Sequence, residues 1–561
     1  MWRTIIFIIT IPVIIAATNG CIKRQSNESG DDDGYYCVCN AVQCDEAPEA
    51  IKPLNPEKYV LITSSKSGLF FDVSNGVFEL KKTSGKQRSC FVRTPKPLGV
   101  GLKLPSISRT FLNILFPFRN KKCSLLRPNK ENSSPMIIVN RTDVYQEILG
   151  FGGAVTDSVG KNIHSLSNET SNHLIRSYFG PSGINYNFVR TPIGGTDFSS
   201  GPYTYAMVEN DTSLQHFALS KEDYDYKIPI IKRAQELQNG KIKLLCLPWT
   251  ASLWMKTNNS WTHNSKLRPE YRQLWADYFA KYFEVYRRNG LEFWGVTTQN
   301  EPENYKYIPQ SVNLNGMRWT PEEESDWIVE YLAPTLKKNN FGNIKILTLD
   351  DNRMSLPDWP KTVFSNKKAR DIIFGIAVHF YFDATVGPNV LDEVKELFPE
   401  KTLLYTEAAL GVFQEKPVIL GSWKRGELYA HNIIENLSHW VSSWVDWNIA
   451  LNTDGGPNWI GNNVDSTIIV NSTADEFYKQ PMFYSIGHFS KYVPPSSVRI
   501  GTVSENIEGI ENIAFSTPDG GIALVILNLN EEEKEILIND PEKGTAKINV
   551  RGKSINTMKY W

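Results

Sequence analysis

The chain has 561 residues, 41% of them hydrophobic and 12% aromatic, with a formal net charge of −1. That length holds a large domain plus a smaller one, and the apolar content excludes a disordered chain. So little net charge gives no global field to bind nucleic acid or an anionic membrane.

Arg3 precedes an apolar run from Ile5 to Ala17, followed by small and polar residues to Gly20. Residues 1–20 read as a secretory signal peptide, too short to span a bilayer. No later apolar run approaches twenty residues, so no transmembrane segment is expected in the mature chain. Cys21, Cys37, Cys39 and Cys44 come next. In an oxidising compartment they read as two disulfides stapling a small N-terminal β module, residues 21–56. Cys37-Val38-Cys39 is too tight for most zinc spacings and no His pair accompanies it, so no metal is expected. Cys90, Cys123 and Cys246 are left over, and Cys246, in an apolar run, reads as an inert buried thiol. Sequons at Asn27, Asn132, Asn140, Asn168, Asn210, Asn258, Asn436 and Asn471 predict glycans on surface loops.

Residues 57–84 alternate apolar and polar, as strands do. Gly85 to Lys130 contains no Asp or Glu but 11 Lys or Arg. It reads either as a basic loop touching a membrane or partner, or as an insertion (86–125) of genomic origin; the missing period favours the insertion. From about 144, eight apolar runs each end in polar groups: Ile148 to Asp157, Ile184 to Asp197, Ile242 to Trp249, Phe293 to Glu301, Ile344 to Asp351, Ile376 to Tyr381, Leu403 to Glu407, and Trp444 to Asn448. Helical stretches separate most of them. Thr320-Pro321-Glu322-Glu323 is a helix start with Thr as N-cap; Tyr271 to Arg288 and Glu427 to Val441 also carry helical periodicity. The pattern predicts an α/β fold, a (β/α)8 TIM barrel over 144–484. After about 485 come short strands, with Pro518-Asp519-Gly520-Gly521 as a hairpin turn. Unable to close a sandwich alone, they are expected to pair with the N-terminal strands. One sandwich-like β domain, 57–143 with 485–561, is then built from both ends of the chain.

Barrel enzymes keep their chemistry at the C-terminal ends of the strands. Glu301 ends the fourth run beside Asn300, and Glu407 ends the seventh. Two carboxyls so placed suit acetal cleavage by a retaining mechanism, with Glu301 as general acid/base and Glu407 as nucleophile. The blander reading of each, a surface or salt-bridged Glu, is weaker for two that both end buried strands. Asp157 can accept from two sugar hydroxyls, and Trp249 and Trp447 can wall the ring. His379 and Tyr381 close the side near Glu407, and Arg190 can hold Glu407 ionised. Each of these alone is as readily a satisfied core residue. Dinucleotide, P-loop, zincin and nucleophile-elbow motifs are absent, and no cofactor is expected.

The strings GFGGAVTD, PWTASLW, TQNEP, GIAVHFY, TEA, DWNIALN, GGPNW and FYKQPMFYSIGHFSKY resemble the glucosylceramidases of glycoside hydrolase family 30. The likeness runs from Cys21 to near the C-terminus, interrupted at about 86–125. It implies Cys21–Cys37 and Cys39–Cys44 pairing, and the acid/base and nucleophile roles already given to Glu301 and Glu407. It also implies glucose contacts at Asp157, Trp249, Asn300, Trp447 and Asn462. Further implied are hydrolysis of glucosylceramide at a membrane surface, a saposin-type activator, anionic lipid and a lysosomal address, with secretion as the alternative. Ala409 replaces a cysteine of mammalian relatives, and Gly461 and Asn463 replace larger residues near the site entrance. Two other readings stay open: a β-glucosidase acting on a sterol or plant glucoside, and a non-catalytic carbohydrate- or lipid-binding protein on the same fold.

Overall fold

The computed structural model describes residues 20–27, 32–79, 134–262, 264–309 and 312–561. The signal peptide up to residue 19, the basic segment, Cys90, Cys123 and Asn132 lie outside the described residues.

Eight parallel strands close a barrel. They are β1 (Gly150–Ala154), β2 (Phe188–Pro192), β3 (Lys243–Leu247), β4 (Gly295–Thr297), β5 (Lys345–Asn352), β6 (Gly375–His379), β7 (Thr402–Glu407) and β8 (Val441–Asn448). Side chains alternate faces along a strand, so inward positions recur every second residue. Phe188, Leu245, Leu347, Ala377, Leu404 and Val445 form one inward apolar cluster. Two residues further along β2, β6, β7 and β8 stand Arg190, His379, Thr406 and Trp447. An apolar plug thus sits beneath a polar layer, and this layer is where the site begins.

Thr320 caps its helix as the sequence predicts: its hydroxyl accepts from Glu323 N–H, and the Glu323 carboxylate accepts from Thr320 N–H. The helix widens into a π-turn at Ile328–Leu332, two residues before Pro334. A proline has no N–H to give the preceding turn, and the same pairing recurs at Asp223–Lys227 before Pro229.

The β domain is a nine-stranded sheet that draws on both ends of the chain, as expected. Lys58–Ser65 pairs with Ser554–Tyr560, and Met136–Glu147 lies between Val498–Glu505 and Lys534–Asp540. Thr517 N–H bonds Gly521 O across the predicted hairpin turn, where Gly520 has φ 78°. The N-terminal module is not self-contained. Ile22–Gln25 and Tyr35–Cys39 form one five-stranded sheet with Glu476–Lys479, Ile468–Asn471 and Leu451–Asn452, which lie between β8 and the last barrel helix, Pro481–Ser490. Cys21 is bonded to Cys37 and Cys39 to Cys44, and Cys246 is a buried free thiol.

One glycosylation expectation is corrected. Asn436 is 0% exposed on the helix Trp423–Ser438, where its amide donates to Asn432 and accepts from Arg353. A glycan has no room there in the folded protein. Asn27, Asn168, Asn210 and Asn258 are exposed, and Asn140 and Asn471 half-buried.

Candidate active site

The polar layer converges on Asp350, a residue the sequence reading passed over. An extra residue bulges β5 between Leu349 and Asp351. Leu349 (φ 76°) and Asp350 (φ 55°) both take the left-handed conformation, and the bulge turns the Asp350 carboxylate into the barrel. There it accepts from Arg190 Nη2 (3.2 Å), Thr297 Oγ1 (2.7 Å) and Thr406 Oγ1 (2.6 Å), and meets His379 Nε2 at 3.1 Å. Burial works against its charge, but Arg190 and His379 hold its carboxyl far below the usual range.

Arg190 fans from this hub. Nη1 donates to Glu407 Oε2, and Nη2 also donates to Asn300 Oδ1 at 2.8 Å. Tyr381 O–H donates to the other Glu407 oxygen at 2.6 Å. Burial pushes the Glu407 carboxyl up, opposed by Arg190, His379 and this phenol. His379 bonds Glu301 rather than Glu407: Nδ1 lies 2.9 Å from Glu301 Oε1. Burial opposes its charge, yet the carboxylates of Glu407, Asp350 and Glu301 push it up to about 10. Asn304 Nδ2 donates to the second Glu301 oxygen.

β4 is shorter than its sequence pattern, ending at Thr297, so Glu301 stands four residues past the strand. Its φ of 43° is strained for a glutamate. Its N–H bonds Asp350 O (2.9 Å), which ties the strained turn to the β5 bulge. One oxygen of Glu301, one of Glu407 and a ring nitrogen of His379 all lie within 4.8 Å of one another. The same three residues have the composition of a metal site. But a doubly protonated imidazole, held between Glu301 and Asp350, donates and has no lone pair to offer.

Above these groups opens a cavity of about 490 Å³. Its lining divides by strand of origin. Asp197 after β2, Trp249 after β3, and Trp447 and Asn462 at and after β8 make a half that is polar and aromatic but for Ile460 and Val464. The two indoles stack with centroids 5.2 Å apart, and the Arg190 guanidinium lies 5.3 and 5.2 Å from them. Ile308, Pro309, Val312 and Leu314 after β4, Phe380 and Phe382 after β6, and Leu410, Val412 and Phe413 after β7 make an apolar half. Glu301 and Glu407 stand between the halves.

Asp157 is not in this wall. Its carboxylate sits behind it, accepting from Ser199 Oγ (2.6 Å) and Tyr203 O–H (3.0 Å), with Lys227 Nζ at 3.5 Å. The carboxyl facing the cavity is Asp197, which accepts from Asn458 Nδ2 (3.0 Å) and Asn462 Nδ2 (3.3 Å) and which burial pushes up to about 7. Asp197 ends the second apolar run, and that terminal position was the available signal.

Two family models cover most of this architecture. The glycosyl hydrolase family 30 TIM-barrel domain matches residues 148–493, and the family 30 beta sandwich domain matches 496–558. The chain belongs to glycoside hydrolase family 30. It is a glycoside hydrolase, and the two carboxyls between the cavity halves stand where such chemistry occurs in a barrel. Among its family 30 relatives, lysosomal acid glucosylceramidase of Mus musculus is 41% identical over 438 residues, covering 77% of this chain and 84% of the relative. Putative glucosylceramidase 3 of Caenorhabditis elegans is 37% identical over 546 residues, 96% and 95% of the two chains. Among solved structures, SrfJ from Salmonella typhimurium superposes with a TM-score of 0.74 at 27% identity, covering 90% of this chain and 99% of that one. Among the described residues no helix is long and apolar enough to cross a membrane.

Proposed function

We propose that this family 30 hydrolase cleaves the β-glucosyl bond of glucosylceramide with retention of configuration, giving glucose and ceramide. The observation that carries the mechanism is the approach of a Glu301 and a Glu407 oxygen to within 4.8 Å. Retaining enzymes place their carboxyls about 5–5.5 Å apart, whereas inverting ones leave about 6.5–9.5 Å for a water.

Position divides the roles. Arg190 and His379 bring two positive charges into contact with three carboxyls: Asp350, Glu407 and Glu301. Asp350 is ionised, and Glu407 is gripped by a guanidinium and a phenol. Held by two donors on the strand-seven side, Glu407 is the nucleophile, and Glu301, beside the apolar half where the aglycone leaves, is the general acid. In the first step Glu407 attacks the anomeric carbon while Glu301 protonates the departing oxygen. In the second, Glu301 takes a proton from water as that water displaces Glu407. Asn300, fixed by Arg190, faces the sugar 2-hydroxyl, and the Trp249–Trp447 pair walls the ring.

The names of the mouse and worm relatives support glucosylceramide, and the apolar half of the cavity suits a lipid aglycone. Action at a membrane surface, help from a saposin-type activator and anionic lipid, and a lysosomal address belong to the same reading. The second reading, a β-glucosidase on a sterol or plant glucoside, shares every group on the sugar side.

An activated 2-fluoro β-glucoside tests the mechanism. A covalent glucosyl adduct mapped to Glu407 is expected; an adduct on another residue, or inverted product in a product-anomer assay, overturns it. Release of ceramide from glucosylceramide in mixed micelles tests the substrate.

A further inference from the structure

Behind the sugar half of the cavity lies a charged cluster that the reaction itself does not use. Asp157, Asp223 and Lys227 are all buried. Lys227 Nζ lies 2.9 Å from Asp223 Oδ1 and 3.5 Å from Asp157 Oδ1. Asp223 also accepts from the hydroxyls of Tyr205 (2.8 Å) and Tyr286 (2.7 Å). The π-turn Asp223–Lys227 supplies two of the three charges, and such turns are frequent at functional sites. Buried charges are costly to hold and often gain nothing over apolar packing, so a cluster kept behind the sugar wall points to a task there.

Asp157 leads from the cluster towards the cavity. Its Oδ2 accepts from Ser199 Oγ at 2.6 Å, and Ser199 Oγ in turn accepts Thr196 N–H at 3.0 Å. Asp197 lies between those two residues. Phe198 N–H bonds Thr196 Oγ1 (2.9 Å), and Phe198 O accepts both Ser158 N–H (3.0 Å) and Ser158 Oγ (2.7 Å). Thr196–Ser199 is thus a turn fastened by Asp157 and Ser158, the first two residues of the helix Asp157–His164. Trp459 fastens it from the other side, with its N–H on Asp197 O (3.0 Å) and its indole N–H on Thr196 O (2.9 Å). The whole turn is buried, and of its four residues Asp197 alone lines the cavity.

We infer that Asp157 is a positioning residue for Asp197: through Ser199 it fixes the turn that presents the Asp197 carboxylate to the hydroxyls of the bound sugar. This rests on the glucosidase reading above and deepens it. Asn458 and Asn462 hold the Asp197 side chain, and Ser199 holds its backbone. Lys227 and the Tyr203 phenol hold Asp157 from behind. The buried charges thus buttress one sugar contact, and a group locked by such outer bonds selects among ligand geometries better than one free to follow the ligand.

The test is a double-mutant cycle on dinitrophenyl β-glucoside, whose leaving group needs no proton, so losses report on the sugar side. Ser199→Ala leaves every charge in place. In the otherwise wild-type enzyme it should lower kcat/KM by about tenfold, the worth of one hydrogen bond. Added to Asp197→Ala it should change kcat/KM by less than about twofold, because the group it positions is gone. Asp157→Asn should follow the same pattern; if it does not fold, Ser199→Ala carries the test alone. Equal losses with and without Asp197 would make Asp157 and Ser199 merely structural and overturn the inference. So would wild-type kcat/KM in Ser199→Ala, or in Asp197→Ala. Failure of the glucosylceramide reading is seen separately: wild type then cleaves the soluble glucoside and leaves glucosylceramide in mixed micelles intact. Cleavage of neither overturns both.

Discussion

Replacing Tyr381 with Phe removes one O–H and leaves the ring in place. That O–H donates to Glu407 Oε1 at 2.6 Å, and a hydrogen bond to a charged group contributes about 1.5–3 kcal/mol. The contribution falls unequally on the two steps. As Glu407 bonds to the sugar it loses charge, so the phenol matters less at the first transition state than in the free enzyme. As the glycosyl–enzyme bond breaks, charge returns to Glu407 and the phenol stabilises it. Tyr381→Phe should therefore slow the second step by roughly 10- to 150-fold, with little change in the first. Steady-state kcat and KM should fall together while kcat/KM is nearly preserved. A pre-steady-state burst of dinitrophenol from a dinitrophenyl glucoside should appear. The same phenol opposes the rise that burial gives the Glu407 carboxyl, so the acid limb of the kcat/KM profile should move to higher pH in the variant. A parallel drop of kcat/KM and kcat, with no burst, would refute this division and make Tyr381 a sugar-positioning group.

Glu301→Gln should lower turnover of alkyl glucosides by about 10²–10⁴-fold, yet retain the first step on dinitrophenyl glucoside, whose leaving group needs no proton; equal losses on both would remove Glu301 as the acid. Peptide mapping after enzymatic deglycosylation should find Asn436 unmodified, and Asn436→Ala, which strips a partner from buried Arg353 Nη2, should lower stability by about 1–3 kcal/mol in a thermal melt. His431 Nδ1 lies 2.8 Å from Glu511, joining the barrel helix Trp423–Ser438 to the β domain, and that bond raises its pKa. Its stabilisation is complete below the unfolded value of about 6.5 and is lost as pH rises through the raised folded value. The pair is half exposed, so His431→Gln should flatten the melting temperature against pH by an amount worth only about 0.5 kcal/mol.

The barrel was legible because its strands are apolar runs that stop on polar residues, and Glu301 and Glu407 stood at two of those stops. The Thr320 cap was legible because its bonds are local. What escaped depends on geometry that a periodic pattern cannot carry. Strict alternation puts Leu349 inward, but the β5 bulge hands that place to Asp350, so the hub of the site went unnoticed. Its place at the end of the first run puts Asp157 in the sugar wall; Ser199 and Tyr203, distant in sequence, draw it behind. The strand Val498–Glu505 buries little more than Ile500 and Gly501 and showed no period. Nothing in residues 21–56 announces that Glu476–Lys479 completes their sheet.

Building a sheet from both ends of the chain also sets the timing of synthesis. Thr63 bonds Asn556, 493 positions away. At roughly 5–20 residues per second a ribosome needs on the order of 25–100 s to make the stretch between them. For most of that interval the strands Lys58–Ser65 and Met136–Glu147 are on hand with edges whose C-terminal partners have yet to be made, while the barrel that follows them is still being completed. They are open to mispairing with other nascent chains. Variants that only slow closure of this sheet therefore act through the time spent bound to chaperones: they lower the amount of enzyme delivered while each delivered molecule keeps its full activity.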